Sequence, residues 1–198
     1  WVIDPHKYPD GLGPLIDHVQ TMGMTFGIWF EPEMISMNSD LARAHPDWIL
    51  GPADQTEGRQ QRVLNMHRSD VRDHLFDAIA AILSAHDIDY IKWDHNRVLP
   101  TPDAAQARGT YALIDRLRVA FPAVEIESCS SGGGRIDFGI LQRTQRVWLS
   151  DSNDALERLR MQHEAALFLP ASVTGSHVGP RRCHITGRVL SMEMRVAS

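Results

Sequence analysis

The chain has 198 residues, a formal net charge of −5, 43% hydrophobic and 23% charged residues, a mix that sets aside disorder, collagen and coiled coil. No run nears the roughly 18 apolar residues of a membrane helix, and the mild acidity lacks the clustered basic face of a nucleic-acid binder, Arg181-Arg182 being a weak patch. Cys129 and Cys183 are too few for a disulfide-dense scaffold and leave one bridge or none.

The chain opens on Trp1-Val2-Ile3-Asp4 with no Met and no leader-like segment, and reads as an internal piece of something longer. From Leu12 to Met22, apolar residues at Leu15, Ile16, Val19 and Met22 keep helical spacing, closed by Gly23. Met24 to Phe30 is a buried strand ending in the polar turn Glu31-Pro32-Glu33. An elaborated loop rich in Pro, Gly, Asp and Gln follows to about Gln61, with a short strand at Val63-Leu64. Ser69 to His86 is helical through Val71, Leu75, Ile79 and Leu83, and Ile88 to Asp94 is a strand. Thr101 is the expected N-cap of the next helix, Pro102 its first turn, and the helix runs to about Phe121. Strands follow at Val124–Ser128, Val147–Ser150 and Ser172–Ser176, with helices from about Ala155 to Phe168 and from Arg188 to Ser198.

Such alternation predicts an α/β chain with a parallel sheet and crossover helices, in one domain or most of one. The only Gly-rich turn, Gly132-Gly133-Gly134, does not fit a dinucleotide-binding fingerprint. Glu31, Glu33, Asp94, Cys129, Asp151 and His177 each fall at or just past a strand's C-terminal end, as the active-site rim of a (β/α)₈ TIM barrel requires. A full barrel takes about 250 residues, so residues 1–198 are expected to be a partial catalytic barrel domain, roughly strands 3 to 7, with open strand edges that make the isolated piece inactive or unstable.

The carboxylates sort by environment. On the strand ending at Asp94, Tyr90, Lys92 and Asp94 share one face, while Ile91 and Trp93 share the other. Packing Ile91 and Trp93 outward turns Lys92 and Asp94 inward, where a neighbouring cation favours the ionised carboxylate of a nucleophile; a structural Lys-Asp pair is the alternative. In Trp148-Leu149-Ser150-Asp151-Ser152-Asn153-Asp154, the second aspartate precedes Glu157 at capping-box spacing. Asp154 is therefore the expected N-cap, and Asp151 is left for chemistry, with a less polar setting beside Trp148 expected to suit it to acid catalysis. Cys129 faces the interior and reads as a buried thiol; Gly132 to Gly134 permit a tight turn or a ligand's close approach to backbone; Trp29 is either a sugar-stacking platform or core. The ten histidines form no metal signature, with no His-x-His and no His-Glu-x-x-His.

Six ordered motifs resemble the α-galactosidases of glycoside hydrolase family 36. They are Trp29-Phe30-Glu31-Pro32-Glu33-Met34, His45-Pro46-Asp47-Trp48, Lys92-Trp93-Asp94-His95-Asn96-Arg97, Glu127 to Arg135, Trp148-Leu149-Ser150-Asp151 and Gly175 to Pro180. The resemblance covers nearly all 198 residues. It implies a retaining barrel hydrolase that removes terminal α-linked galactose from oligosaccharides such as melibiose and raffinose. Asp94 would be the nucleophile and Asp151 the acid/base, with sugar-binding positions at Trp29, Arg59, Lys92, Asn96, Cys129, Gly132 and Trp148. Retention places the two carboxyl groups about 5–5.5 Å apart.

The resemblance further implies no metal or organic cofactor, no nucleic-acid or membrane partner, a homo-oligomer for the full-length protein and a cytoplasmic location. This chain departs from the family pattern at His95, Ser131 and Ser152-Asn153, where the family often carries Met, Gly and Asn-Thr. The family's paired aspartates would precede Trp1. Competing functions are an α-N-acetylgalactosaminidase or galactosyl transferase of the same family, a metal-dependent barrel hydrolase, and a sugar-binding relic without turnover.

Overall fold

The computed structural model of the chain describes residues 1–101 and 103–196. It divides into two compact units, Trp1–Ile126 and Glu127–Ser198. The first holds α1 (Gly13–Thr21), β1 (Gly27–Phe30), β2 (Met34–Ser36), α2 (Asp40–Ala44), a 3₁₀ turn (Pro46–Trp48), β3 (Gln61–Val63), α3 (Ser69–Ala85), β4 (Tyr90–Trp93), α4 (Ala104–Ala120) and the start of β5 (Glu125–Ser128). β1 and β4 pair in parallel from Gly27↔Tyr90 to Phe30↔Trp93, and β5 lies next to β4. The Asp94 N–H then donates to the Phe30 carbonyl at 2.9 Å, extending the ladder past β4 and bringing Asp94 level with the end of β1.

Helical periodicity explains the core of this unit. The stripe Val71, Leu75, Ile79 and Leu83 of α3 is buried, as are Leu113, Ile114 and Leu117 of α4. Each such side chain, fully buried, contributes about 1.5–3 kcal/mol. Arg116 of α4 pairs with Asp73 of α3 at 2.5 Å, and its guanidinium covers the Phe76 ring. The buried amide of Gln106 bridges segment 64–66, donating to the Leu64 carbonyl at 2.8 Å and accepting from the Met66 N–H at 2.9 Å. One turn on, α4 presses so close that a Cβ on Gly109 would lie 2.0 Å from the Met66 carbonyl oxygen.

Three expectations are corrected in this unit. Asp103, not Thr101, caps α4: its extended backbone lets the carboxylate accept the Ala105 N–H at 2.7 Å, while Thr101 lies too far ahead of the first turn; Pro102 lies outside the described residues. The expected loop from residue 34 to 61 instead contains the antiparallel pair β2–β3, with Met34↔Val63 through Ser36↔Gln61, and α2 between them. Three-residue strands are too short to show alternation, and their pairing is decided across the long intervening segment. The leading strand is also shorter than its apolar run, starting only at Gly27.

The second unit holds the end of β5, α5 (Phe138–Leu141), β6 (Arg146–Trp148), α6 (Ala155–Ala165), a 3₁₀ turn (Ala171–Val173), β7 (Thr174–Gly175) and α7 (Met192–Val196). Pairing is again parallel: Glu127↔Arg146 and Ser128↔Val147, then Val147↔Thr174 and Trp148↔Gly175. The last helix begins four residues later than expected, because Arg188 and Leu190 are drawn into backbone bonds with Cys183 and Arg181. Its expected end at Ala197 and Ser198 lies outside the described residues. α6 stops at Ala165 rather than Phe168, closing in tight turns ahead of Pro170. Cys129 and Cys183 are both buried, and neither is in a disulfide. Among the described residues no helix is long and apolar enough to cross a membrane.

Candidate active site

In the first unit, Asp94 is 7% exposed at the C-terminal end of β4, and a set of N–H donors fixes its carboxylate. Oδ2 accepts the indole N–H of Trp29 at 3.0 Å and the amide N–H of Asn96 at 2.7 Å; Oδ1 accepts the His95 backbone N–H at 2.9 Å. The strand register makes this possible. Trp29 sits opposite Lys92, two residues before the level of Asp94, and is 47% exposed, so it is not core filler. Alternation along β4 holds as expected: Ile91 and Trp93 are fully buried, Tyr90 and Lys92 half-buried.

The two glutamates after β1 are both buried but serve opposite directions. Glu31 accepts the second Asn96 N–H contact at 2.9 Å and the Gln61 amide at 2.8 Å, with the exposed Arg59 guanidinium 3.7 Å away. Glu33 turns toward the core, accepting from Trp93 Nε1 at 2.9 Å and from the Thr110 hydroxyl at 2.8 Å, with His95 Nδ1 at 3.6 Å. Arg59 and Gln60 occupy a two-residue hairpin turn, with φ of 56° and 61° and reciprocal backbone bonds between Gly58 and Gln61. That left-handed geometry suits Asn-Gly far better than Arg-Gln. Bonds from outside hold it: Arg97 donates to the Gln61 carbonyl at 2.6 Å and to the Thr56 carbonyl.

In the second unit, Trp148 is 8% exposed at the end of β6, and its indole N–H donates to Asp151 Oδ1 at 2.8 Å. The Arg158 guanidinium lies 4.5 Å from the Trp148 ring, whose stacked neighbour is His177 at 4.8 Å. Arg158 is almost wholly buried, and its guanidinium donates to the Ser150 carbonyl at 2.6 Å and the Gly175 carbonyl at 2.9 Å. His177 in turn bonds Asn153 through Nε2. Asp154 is the N-cap of α6, as its spacing predicts. It accepts from the N–H groups of Leu156 and Glu157 at 3.0 and 3.3 Å, and from Arg188 at 2.6 Å. Its own N–H goes to Ser152 Oγ, so the return half of a capping box through Glu157 is not used. The dry setting expected for Asp151 is not found: the residue is exposed, with the indole edge of Trp148 against one carboxylate oxygen.

Cys129 directly follows β5, buried at 1% exposure, and Gly132 has φ +83° with a would-be Cβ only 3.0 Å from Ser150 Cα. Backbone proximity to segment 149–150 accounts for that glycine. Of the predicted site residues, the structure joins Trp29, Asn96 and Asp94 directly, and Arg59 through Glu31; Trp148 joins Asp151. Gln61, Arg97 and Arg158 were not legible as site residues, since each acts through backbone carbonyls or partners far away in sequence.

The profile of the Melibiase family matches residues 1–198. The chain belongs to the Melibiase family. It is 50% identical over 204 aligned residues to an alpha-galactosidase of Escherichia coli, covering 98% of this chain and 29% of that protein. Against the alpha-galactosidase AgaA of Geobacillus stearothermophilus it is 39% identical, with the same two coverages. Among solved structures, the galactosidase domain of the alpha-galactosidase-sucrose kinase AgaSK aligns with TM-score 0.91 and 40% identity over 98% of this chain and 28% of that one. A Geobacillus stearothermophilus AgaA variant of glycoside hydrolase family 36, solved with raffinose, aligns at 0.89 and 38% identity over 98% and 29%. The family read from the motifs is thus borne out, and the chain spans about 29% of the length of these curated relatives.

Proposed function

We propose that this chain is the part of a retaining α-galactosidase that carries both catalytic carboxylates, within a (β/α)₈ barrel of which it holds roughly strands 3 to 7. The observation that carries the reading is the Asp94 carboxylate, held at a strand's C-terminal end by the N–H groups of Trp29 and Asn96. Family membership and the raffinose complex of an AgaA relative support the substrate class: oligosaccharides such as melibiose and raffinose that end in α-linked galactose.

The chemistry is a double displacement. Asp94 attacks the anomeric carbon as the bond to the leaving oxygen breaks, and Asp151 delivers the proton that oxygen needs. The galactosyl ester on Asp94 is then hydrolysed by water, from which Asp151, now the base, takes a proton. Anchoring of its oxygens limits the rotation of the Asp94 carboxylate, so that little ordering remains to be done at the moment of attack. Asp151 is exposed and held by one indole N–H, a position from which a carboxyl exchanges protons with a leaving group and with water. Arg59, Lys92, Cys129 and Gly132 complete the proposed sugar-binding set. Two carboxylates suffice for this reaction without a metal or an organic cofactor.

The test is Asp94→Ala in the full-length protein. Hydrolysis of nitrophenyl α-galactoside is expected to be abolished, and azide to restore partial turnover with release of a β-galactosyl azide. An α-configured azide product, or unchanged activity, refutes the assignment. Preference for the N-acetyl analogue, or formation of transfer products in place of hydrolysis, would move the reading to another activity with the same two aspartates.

A further inference from the structure

We infer that Glu31 is a positioning residue that fixes the aim of Asp94 through the side chain of Asn96. The inference rests on Asp94 being the nucleophile. Glu31 is 6% exposed, and a buried carboxylate costs several kcal/mol unless it is well partnered. Its side-chain partners are Asn96 and Gln61, with Arg59 as its nearest cation. Arg59 stands in the turn before β3, Gln61 is the first residue of β3, and Asn96 lies in the segment after β4. Glu31 is thus the hub that ties both segments to the end of β1.

Asn96 is the critical link. Its amide nitrogen donates to Glu31 Oε1 at 2.9 Å and to Asp94 Oδ2 at 2.7 Å. The amide has two N–H donors, and with both engaged its plane is fixed between two carboxylates. Without Glu31, the Asn96 amide loses one of the two carboxylates that fix its plane, and its N–H donation to Asp94 Oδ2 loses direction. Glu33, two residues on, serves as a contrast: its bonds go to Trp93 and Thr110 in the core, so its loss acts on stability.

Steady-state kinetics of the full-length protein with nitrophenyl α-galactoside test this. Glu31→Ala is expected to lower kcat about 100-fold, the order a misplacement of about 1 Å costs, with a much smaller rise in KM, because attack is impaired more than the sugar binding in which Asn96 also takes part. Glu31→Gln returns an acceptor to Asn96, and the Gln61 amide can turn to satisfy the new NH₂; it is expected to recover about tenfold or more of that loss, as one restored hydrogen bond allows. Because the two side chains act as one unit, the double variant Glu31→Ala/Asn96→Ala is expected to fall no further than Asn96→Ala alone.

Glu31→Met fills similar space without an acceptor and replaces Glu31→Ala in the cycle if the alanine variant does not fold. Multiplicative losses in the double variant overturn the inference, as does a raised KM with kcat intact, which would make Glu31 a direct sugar ligand. Asp94→Ala keeps the two ideas apart. Activity surviving there removes the nucleophile, whereas wild-type rates in the Glu31 variants beside an inactive Asp94→Ala remove only Glu31.

Discussion

Replacing Asp154 by alanine should damage the fold while replacing Asp151 should damage only the chemistry. Asp154 is fully buried and accepts two backbone N–H groups at the start of α6, the Thr186 hydroxyl and the Arg188 guanidinium. Loss of an aspartate N-cap costs about 1 kcal/mol, and the lost bond from the hydroxyl of Thr186, an exposed residue that regains water, about 0.5–1 kcal/mol. Arg188 is 40% exposed and regains water, so its lost pair adds only about 0.5–1 kcal/mol. The sum is about 2–3 kcal/mol.

Urea unfolding followed by tryptophan fluorescence reads this as a lower midpoint with an unchanged slope. The pH dependence carries a sign. Burial pushes the Asp154 carboxyl up, but the Thr186 hydroxyl, the Glu157 N–H, Arg188 and the Leu156 N–H outweigh it and hold the pKa below the ordinary carboxylate range. The stabilisation is therefore present above that ordinary range and is lost as pH falls through the lower folded value. The gap between wild type and Asp154→Ala is expected to be widest near neutrality and to close on acidification. Exposed Asp151, changed to alanine, should shift the midpoint by less than about 0.5 kcal/mol while losing hydrolysis of substrates with poor leaving groups. Equal midpoints for wild type and Asp154→Ala, or a gap that widens in acid, would refute the reasoning.

Gly109→Ala sets a Cβ 2.0 Å from the Met66 carbonyl oxygen and 2.6 Å from its carbon, a backbone that cannot swing aside. A loss of about 3 kcal/mol or more is expected in thermal or urea unfolding, and an unchanged midpoint would show that α4 and segment 64–66 separate easily. Arg158→Met leaves the Ser150 and Gly175 carbonyls without their guanidinium donor and uncovers one contact on Trp148. It is expected to cost about 2–4 kcal/mol and, through Trp148 and Asp151, to lower kcat about tenfold or more. Arg158→Lys should not rescue it, because a single ammonium does not reproduce the guanidinium's fork; full activity in either variant would discount the role of Arg158.

Local pattern was enough for much of this protein. The apolar stripe at Val71, Leu75, Ile79 and Leu83 specified α3 to within a residue of its end, and alternation along Tyr90–Trp93 separated the buried Ile91 and Trp93 from Lys92 and Asp94. The spacing of Asp154 ahead of α6 told the structural aspartate from Asp151. These features depend on neighbours within a few residues, where helix and strand periods operate. What tertiary structure alone decided spans far longer separations. Glu31 meets Asn96 across 65 residues and Glu33 meets Thr110 across 77, while Arg158 finds the Gly175 carbonyl across 17. No period relates such positions. The meeting of buried polar groups is settled by which backbones the parallel strands bring to the same level, and by the cost of leaving a buried charge or carbonyl unanswered. For the same reason Arg59-Gln60 holds a left-handed turn that its own residues disfavour: Gln61 and Arg97, tied to neighbouring segments, impose it from outside.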